Sequence, residues 1–333
     1  NDVVPTAGKL TVQLLIKDLL TDLQYLYDTL QAKGNEFDHV IKMGRTHLQD
    51  AVPIRLGQEF RAFSQPVLRD IKRISAAVEE LTYVNMGATA VGTGINADVE
   101  YVKNVVRILS EVTGFEFKQS PDLVDGTRNL DSFVWLSSAL KTCAVNLSKT
   151  ANDIRLMASG PKAGLAEILL PQQQPGSSIM PGKVNPVIPE VLNQVCFQIF
   201  GNDITITKAA EAGQLELNVF EPVLFFNLFQ SIEILKNGII TFIENCLKGI
   251  TAQEENCKYW VDRSVGIITA LNPHIGYKNA AEIAKESIKT GVPVAQIVLQ
   301  RGLLSKEDLD VILNPFEMTK PGIPGKALLK KNK

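Results

Sequence analysis

Three long segments of this chain repeat apolar side chains at steps of three and four residues. The stripes are Leu15, Leu19, Leu23, Leu26 and Leu30; Phe60, Phe63, Val67, Ile71, Ile74, Val78 and Leu81; and Phe133, Leu136, Leu140, Ala144, Leu147, Ala151 and Ile154. This spacing places each set on one face of an α-helix, and the period-two alternation of strands is scarce. The chain is therefore predicted to be mainly α, with a bundle of long helices at its centre.

A fourth segment, residues 224–247, is apolar on more than one face. We expect this helix to lie at the centre of the bundle or at a subunit contact. The overlapping apolar run 220–235 is interrupted by polar residues, which favours a buried helix over a membrane span. The interrupting residues are Glu221, Asn227, Gln230 and Glu233.

Glycine and proline concentrate between the helical segments, and these stretches are predicted to be loops. The predicted loops are 44–53, 87–98, 160–189 and 272–276. After about residue 255 the helical segments shorten, and Ser305 followed by Glu307 and Asp308 is typical of an N-cap with first-turn acids. We predict a central helical-bundle domain over 1–255 and a small C-terminal domain over 256–333.

Composition excludes several classes of partner. The 333 residues are 45% hydrophobic, enough for a large core, and the net charge of −2 offers no basic field for nucleic acid or an anionic membrane. The four cysteines and three histidines are scattered, without the spacing of a zinc site. We therefore expect no metal site, and free thiols in a reducing, cytoplasmic compartment.

The segment Gly176–Pro186 reads G-S-S-I-M-P-G-K-V-N-P. Glycine and proline restrict it to a shaped loop rather than a helix. The hydroxyls of Ser177 and Ser178, the charge of Lys183 and the amide of Asn185 suit a small carboxylate. This loop is the principal candidate site.

The loop resembles the signature G-S-S-x-x-M-P-x-K-x-N of the aspartase/fumarase superfamily, with every fixed position present. The resemblance implies that Ser177 is the base that removes a proton from carbon. It implies that Ser178, Lys183 and Asn185 bind the substrate. It also implies a small-molecule substrate, no cofactor, and a homotetramer around a twenty-helix core, with each site shared by three subunits.

Two further segments match the superfamily. Gly44–Gln49 resembles its G-R-T-H-x-Q motif, which implies that Thr46 and His47 contact the amino or hydroxyl end of the substrate. Residues 87–96 resemble its G-x-T-A-x-G-T-G-x-N stretch and bring Asn96 near the site, although a helix-capping amide is an equal interpretation. The same glycines formally fit a dinucleotide fingerprint, which we reject because they follow a helical stripe rather than a strand.

Two candidates remain. Glu190 follows the loop at a helix start, where an acid matches the helix dipole, and the resemblance adds an orienting role towards His47. Asn1 matches the last residue of the superfamily's S-x-S-T-N loop and is expected to contact the substrate amino group. The resemblance implies about 140 residues before it, of usual domain size. We therefore expect the chain alone to fold and associate but to be severely impaired in activity.

The residues that flank these motifs resemble aspartases. Examples are Val52-Pro53-Ile54, Ala163–Ile168 and Pro186–Val191. The implied reaction is the reversible deamination of L-aspartate to fumarate and ammonia through an aci-carboxylate intermediate. One alternative is a class II fumarase. An alternative of another class is a non-catalytic structural protein on the same fold, as lens crystallins of the superfamily are.

Overall fold

The computed structural model describes residues 1–176, 179–180 and 182–330. Across this part of the chain the helices are α1 Val3–Glu36, α2 Leu56–Glu80, α3 Val99–Thr113, α4 Leu123–Arg128, α5 Asp131–Met157, α6 Val187–Glu211, α7 Glu221–Asn245, α8 Glu254–Arg263, α9 Ile268–Ile275, α10 Tyr277–Thr290, α11 Val294–Gln300, α12 Lys306–Ile312 and α13 Pro315–Met318. The strands are β1 Ile41–Thr46, β2 Gln49–Arg55, β3 Tyr83–Val84, β4 Lys118–Gln119, β5 Ile168–Leu169 and β6 Thr251–Ala252. The predicted mainly α class is confirmed.

The chain forms two compact units. The first comprises Asn1–Thr29, Phe63–Arg155 and Pro171–Gly249, and the second comprises Leu30–Ala62, Leu156–Leu170 and Ile250–Lys333. Each is assembled from separated segments of sequence. The predicted division into domains at residues 255 and 256 stays a prediction.

Long helices make up most of the first unit, and their cores follow the predicted stripes. Every member of the α5 stripe is buried, and so are Leu19, Leu23 and Leu26 of α1. Helices α6 and α7 run antiparallel, because Asn202 of α6 contacts Ser231 of α7, whereas the earlier Leu192 and Val195 lie beside the later Gly238. The hydrophobic spacing therefore predicted both the helices and their inward faces.

Helix α7 has the length and composition of a membrane span. Within Glu221–Gly249 the most apolar stretch of 18 residues has a mean hydropathy of 1.3, and 39% of that stretch is buried within the structure. The core helix of a soluble protein passes the same test. One face packs inside the first unit, with Leu228 and Ile232 completely buried, whereas Phe226 on another face is 65% exposed. The prediction placed this helix at the centre of the bundle or at a subunit contact, and both placements stay open with one buried and one exposed apolar face.

The second unit contains an antiparallel hairpin of β1 and β2 where the sequence predicted the loop 44–53, and that prediction was wrong. The pairs Met43–Pro53 and Arg45–Asp50 leave Gly44 opposite both Ala51 and Val52, so the ladder shifts register there. This irregularity and the charged residues of β1 hide the strand alternation.

Small helices surround a separate core in the second unit. Its buried residues are Met43, Val261, Ile267, Leu271, Ile275, Ala280, Ile283, Val294, Ile297, Val298, Leu309 and Ile312. The predicted N-cap is confirmed, because the Ser305 hydroxyl accepts from the Asp308 amide at 3.1 Å.

Two further predicted loops also contain regular structure. The predicted loop 272–276 was wrong, since α9 runs through Pro273 to Ile275. Proline there costs one helical hydrogen bond, and burial of Leu271 and Ile275 holds the turn in place. The predicted loop 160–189 includes the short strand β5, and α6 begins before its end, at Val187.

Glu221 gives the protein a pH-dependent stability. Only 7% of this residue is exposed, and burial raises the pKa of its carboxyl to about 7 against the opposing charge of Lys9. The folded state therefore binds this proton more tightly than the unfolded state, so its stabilising contribution is present at acid pH and is lost as the pH rises through about 7. We expect Glu221→Gln to have a larger free energy of unfolding than the wild type at pH ~8. This advantage of the variant should be about 2 kcal/mol larger at pH ~8 than at pH ~5. Urea titrations measure the stability difference between variant and wild type. The same difference at both pH values would show that Glu221 is not the source of the pH dependence.

Candidate active site

The signature loop is held closed at its base. The Asn185 amide donates to the carbonyl of Gly176 at 2.9 Å. Gly176 itself packs so closely that a methyl group placed on it would overlap the carbonyl oxygen of Lys183. Position 176 requires glycine because the backbone of Lys183, on the other side of the loop, leaves no room for a side chain.

A tight turn precedes the lysine of the loop. The Lys183 amide donates to the carbonyl of Met180 at 3.2 Å, and Gly182 adopts the left-handed φ of +84°. The residue Lys183 is exposed, whereas Asn185 is partly buried. An amide nitrogen carries two hydrogens, so Asn185 keeps one donor for a ligand after closing the loop. Ser177 and Ser178 lie outside the described residues.

Glu190 stands in the first turn of α6, where its charge matches the helix dipole. Its carboxylate accepts from Nη2 of Arg155 at 3.4 Å, and Nη1 of the same guanidinium reaches the Asn193 side chain at 3.3 Å. The first unit therefore provides an arginine partner for Glu190. The orienting role towards His47 stays a prediction.

The start of α1 is bonded to the glycine-rich segment 87–96, also within the first unit. The Asn1 amide donates to the carbonyl of Ala90 at 2.7 Å. The carboxylate of Asp2 accepts from the backbone amides of Gly87 at 3.0 Å and Thr89 at 3.2 Å. These bonds bring Asn1 to the segment that carries Asn96.

The backbone of this segment tests whether Asn96 is a helix-capping residue, which was one of its two interpretations from the sequence. Asn96 has a left-handed φ of +63°, and the N-cap of α3 is Asp98, whose carboxylate accepts from the Glu100 amide at 2.8 Å. Asn96 is therefore not the cap of α3. Gly92 at φ +95° packs against the backbone of Val124, which fixes the segment on α4.

Thr46 and His47 occupy the tip of the β1–β2 hairpin in the second unit. Thr46 pairs with Gln49, and His47 and Leu48 between them have φ values of +53° and +61°. Two positive φ values match a type I′ turn, which usually takes asparagine and glycine. Each non-glycine residue in this conformation costs on the order of 1–2 kcal/mol. Thr46 and His47 are exposed, and Leu48 beside them is 70% exposed.

A buried charged network lies beneath the hairpin. The Glu167 carboxylate is completely buried and pairs with Arg45 at 2.6 Å and with Lys42 at 2.9 Å, and Lys42 also pairs with Glu59 at 2.8 Å. Burial raises the pKa of the Glu59 carboxyl. Burial lowers the pKa of the Lys42 ammonium, but the two carboxylates more than offset this and leave it raised.

Sequence reasoning missed this network. Beyond the arginine of G-R-T-H-x-Q, and the place of Glu167 in the aspartase-like stretch Ala163–Ile168, no sequence pattern connects Lys42, Arg45 and Glu167. A charged residue between the apolar neighbours Ala166 and Ile168 was the available signal, because a carboxylate in such a setting needs a partner.

The structure distributes the predicted site residues between the two units. Asn1, Asn96, Lys183, Asn185 and Glu190 belong to the first unit, and Thr46 and His47 belong to the second. Among the described residues no cluster of three or more histidine, cysteine, aspartate or glutamate side chains is arranged to hold a metal ion.

An open cavity of about 440 Å³ lies in the first unit, and none of these residues lines it. Its lining comprises Asp18, Thr21, Asp22, Lys236, Asn237, Ile240 and Thr241. Burial and the charge of Asp18 raise the pKa of the Asp22 carboxyl.

Family comparison agrees with the motifs. The lyase family matches residues 1–201, and the family described as the fumarase C C-terminus matches residues 267–320. An aspartate ammonia-lyase of Bacillus subtilis is 59% identical over 99% of this chain and 70% of its own length. An aspartate ammonia-lyase of Escherichia coli is 48% identical over 98% of this chain and 68% of its own.

Solved structures have the same fold. The crystal structure of a fumarate lyase:delta crystallin from Brucella melitensis bound to cobalt superposes with a TM-score of 0.94 at 46% identity, over 96% of this chain and 70% of that chain. A class II fumarase from Schistosoma mansoni superposes with a TM-score of 0.90 at 35% identity, over the same shares of the two chains.

Proposed function

The chain belongs to the lyase family, and from this membership we propose that it catalyses the reversible deamination of L-aspartate to fumarate and ammonia. The observation that carries the proposal is the complete signature loop in a chain 59% identical to an aspartate ammonia-lyase. Closure of the loop by Asn185 and Gly176 supports it, because a fixed loop can present several donors to one carboxylate.

In the proposed reaction Ser177, as an alkoxide, takes the proton from the substrate carbon next to the carboxylate that the loop binds. The electron pair of the broken C–H bond moves into that carboxylate and gives an aci-carboxylate. The pair then forms the C=C bond of fumarate as the C–N bond breaks, and the amine leaves with its own bonding pair. The doubly charged carboxylate is the high-energy species, so donors placed around it supply most of the acceleration.

Lys183 has the central electrostatic role in this proposal. Its ammonium offsets the negative charge that develops on the aci-carboxylate and favours the alkoxide form of Ser177. Ser178 and the second hydrogen of the Asn185 amide donate to the same carboxylate.

The other candidates act at the opposite end of the substrate. We assign Thr46, His47 and Asn1 to the leaving amino group, with Asn96 and Glu190 in support. The strained backbone of His47 favours a functional role, because such conformations concentrate at binding sites.

We also propose that the protein is a cytoplasmic homotetramer with sites shared by three subunits. Large apolar side chains on α6 and α7 support an assembly, since Phe197, Ile204 and Phe226 are exposed in the single chain. All four cysteines are free and buried, and burial raises the pKa of the Cys246 thiol to about 12, which fits inert thiols in a reducing compartment.

Two other functions each have an observation in their favour. The fumarase C C-terminus family matches residues 267–320, which favours malate and fumarate as the reaction pair. The name delta crystallin on the Brucella melitensis protein favours a structural role without catalysis. Aspartate ammonia-lyase remains the first choice, because those relatives reach 59% identity and the class II fumarase only 35%.

Comparison of two substrates tests the function. We expect the full-length protein to convert L-aspartate to fumarate with a kcat/KM at least about 30-fold above that for L-malate. An ammonium leaving group and a hydroxyl differ in charge and in hydrogen-bond donors, and a site built for one rejects the other. Fumarate absorbance gives both rates. A kcat/KM for malate equal to or above that for aspartate would establish the fumarase alternative, and no turnover of either substrate would favour the structural one.

Substitution of Lys183 tests its assignment. We expect Lys183→Ala to raise the KM for aspartate about tenfold to a hundredfold, because a charged hydrogen bond contributes roughly 1.5–3 kcal/mol. Lys162→Ala is the matched control, since it removes an exposed lysine that has no assigned role. An unchanged KM in Lys183→Ala would contradict the assignment.

A further inference from the structure

We propose that Glu167 is a positioning residue that fixes the β1–β2 hairpin and with it Thr46 and His47; its effect on turnover rests on the function proposed above. The residue lies outside every motif that the sequence singled out as catalytic.

Both oxygens of the Glu167 carboxylate are paired with cations of β1. Nη1 of Arg45 lies 2.6 Å from Oε1, and Nζ of Lys42 lies 2.9 Å from Oε2. The carboxylate has no exposed surface. Arg45 donates a hydrogen bond to Oε1, whereas Lys42 meets Oε2 as an ion pair without hydrogen-bond geometry. The arginine bond therefore sets the angle at which the hairpin is attached, and the lysine charge reinforces it.

The backbone of Glu167 is anchored in turn. Its amide donates to the carbonyl of Met157 at 2.9 Å, and its carbonyl accepts from the Gln253 amide at 2.9 Å. The same carbonyl accepts from the Cys257 thiol at 3.5 Å. The carboxylate therefore projects from a fixed segment, and the hairpin is oriented by that segment.

The shape of the hairpin directs both cations to one carboxylate. Lys42 and Arg45 are three positions apart, and regular alternation would send them to opposite faces of the strand. The ladder is irregular here because Ala51 and Val52 of β2 both stand opposite Gly44, and such a bulge increases the local twist of the hairpin. Lys42 and Arg45 both reach Glu167 across this twisted part. A methyl group on Gly44 would approach the carbonyl oxygen of Val52 to 2.7 Å, so the irregular backbone needs glycine.

The anchor lies next to the strained tip. Arg45 immediately precedes Thr46, and His47 and Leu48 follow in left-handed conformations. Strained backbone persists only where neighbouring structure fixes it. On the other strand the Asp50 carboxylate accepts from the Ser264 hydroxyl at 2.8 Å, which holds the second side of the tip.

A single substitution of Glu167 has two effects at once: it releases the hairpin from its anchor, and it changes the net charge of the buried network. The network holds the cations Lys42 and Arg45 and the carboxylates Glu59 and Glu167, and Glu167→Gln leaves one positive charge in excess. Such an imbalance is destabilising by itself. The double variant Glu167→Gln/Lys42→Met restores the balance and still removes the carboxylate from Arg45.

The experiment combines amide hydrogen exchange with kinetics on the full-length protein. In both Glu167→Gln and the double variant we expect exchange at residues 46–49 to accelerate at least about tenfold, since the turn loses its anchor. We expect kcat/KM for L-aspartate to fall about a hundredfold in both, because small displacements of positioned groups have effects of that size. Asp70→Asn is the matched control, since Asp70 is also fully buried and paired with an arginine, and it should leave exchange at 46–49 unchanged.

The outcomes separate the possible roles. Wild-type exchange at the tip in both variants overturns the proposal, and so does recovery of exchange and turnover in the double variant, which would show charge balance alone. Accelerated exchange in a protein whose wild type does not convert L-aspartate supports the anchoring role and overturns the proposed function instead.

Discussion

Ser177→Ala lowers kcat for L-aspartate by at least about 10²–10⁴-fold, the range expected when a proton-transferring base is removed. Alanine removes only the hydroxyl, so the substrate still meets Lys183 and Asn185 and the KM changes little. The hydroxyl belongs to a polar loop, and the free energy of unfolding should change by less than about 1 kcal/mol. Initial rates of fumarate formation and urea titrations of the same preparation measure the two effects.

Ser178→Ala is the matched control for this variant. It removes the adjacent hydroxyl, which is assigned to carboxylate binding rather than to proton transfer. Its loss should mainly raise the KM, by the factor that corresponds to the roughly 0.5–1.5 kcal/mol of one neutral hydrogen bond. A Ser177→Ala protein with near-normal kcat, or an equal loss of kcat in both variants, would contradict the assignment of the base.

Gly176→Ala has the second large effect, a fall in kcat/KM of about 10²–10³-fold. The added methyl overlaps the carbonyl oxygen of Lys183, so the two sides of the loop must separate and the bond from Asn185 to Gly176 is lost. The donors of the loop then no longer converge on one carboxylate. Steady-state kinetics measure the loss.

The control for this second variant is Gly201→Ala in α6. Apart from its chain neighbours and the backbone of its own helix, no atom lies within 4 Å of a methyl group built there, and the backbone is helical. Alanine favours a helix over glycine by up to about 1 kcal/mol, so the control should be stable. Gly201 shares the exposed face of α6 with Phe197 and Ile204, so light scattering must first show that the control assembles like the wild type, and it should then be active. Equal activity of both glycine variants would refute the requirement for a closed loop.

The long helices were predictable because each has one consistent apolar face. The stripe on α5 is buried from Phe133 to Ile154, and the N-cap at Ser305 has the expected hydrogen bond. The position of the signature loop was predictable because the motif is contiguous, whereas the bond from Asn185 to Gly176 that closes it was not predicted. Local patterns of this kind do not depend on distant parts of the chain.

The errors have a different origin. The β1–β2 hairpin lacks alternation because of the register shift at Gly44, and its turn uses His47 and Leu48 where asparagine and glycine are usual. Glu167 meets Arg45 across 122 positions of sequence, so no spacing rule connects them. Contacts of this kind arise from tertiary packing, which a single sequence does not display.

The most direct test of the central claim is the product formed in the reverse direction. The purified full-length protein is given fumarate and ammonium in deuterated water, and the product is identified by proton NMR. Transfer of a proton from the base to carbon, with addition of ammonia at the neighbouring carbon, predicts aspartate that carries one deuterium at C3. Malate as the product would contradict the account.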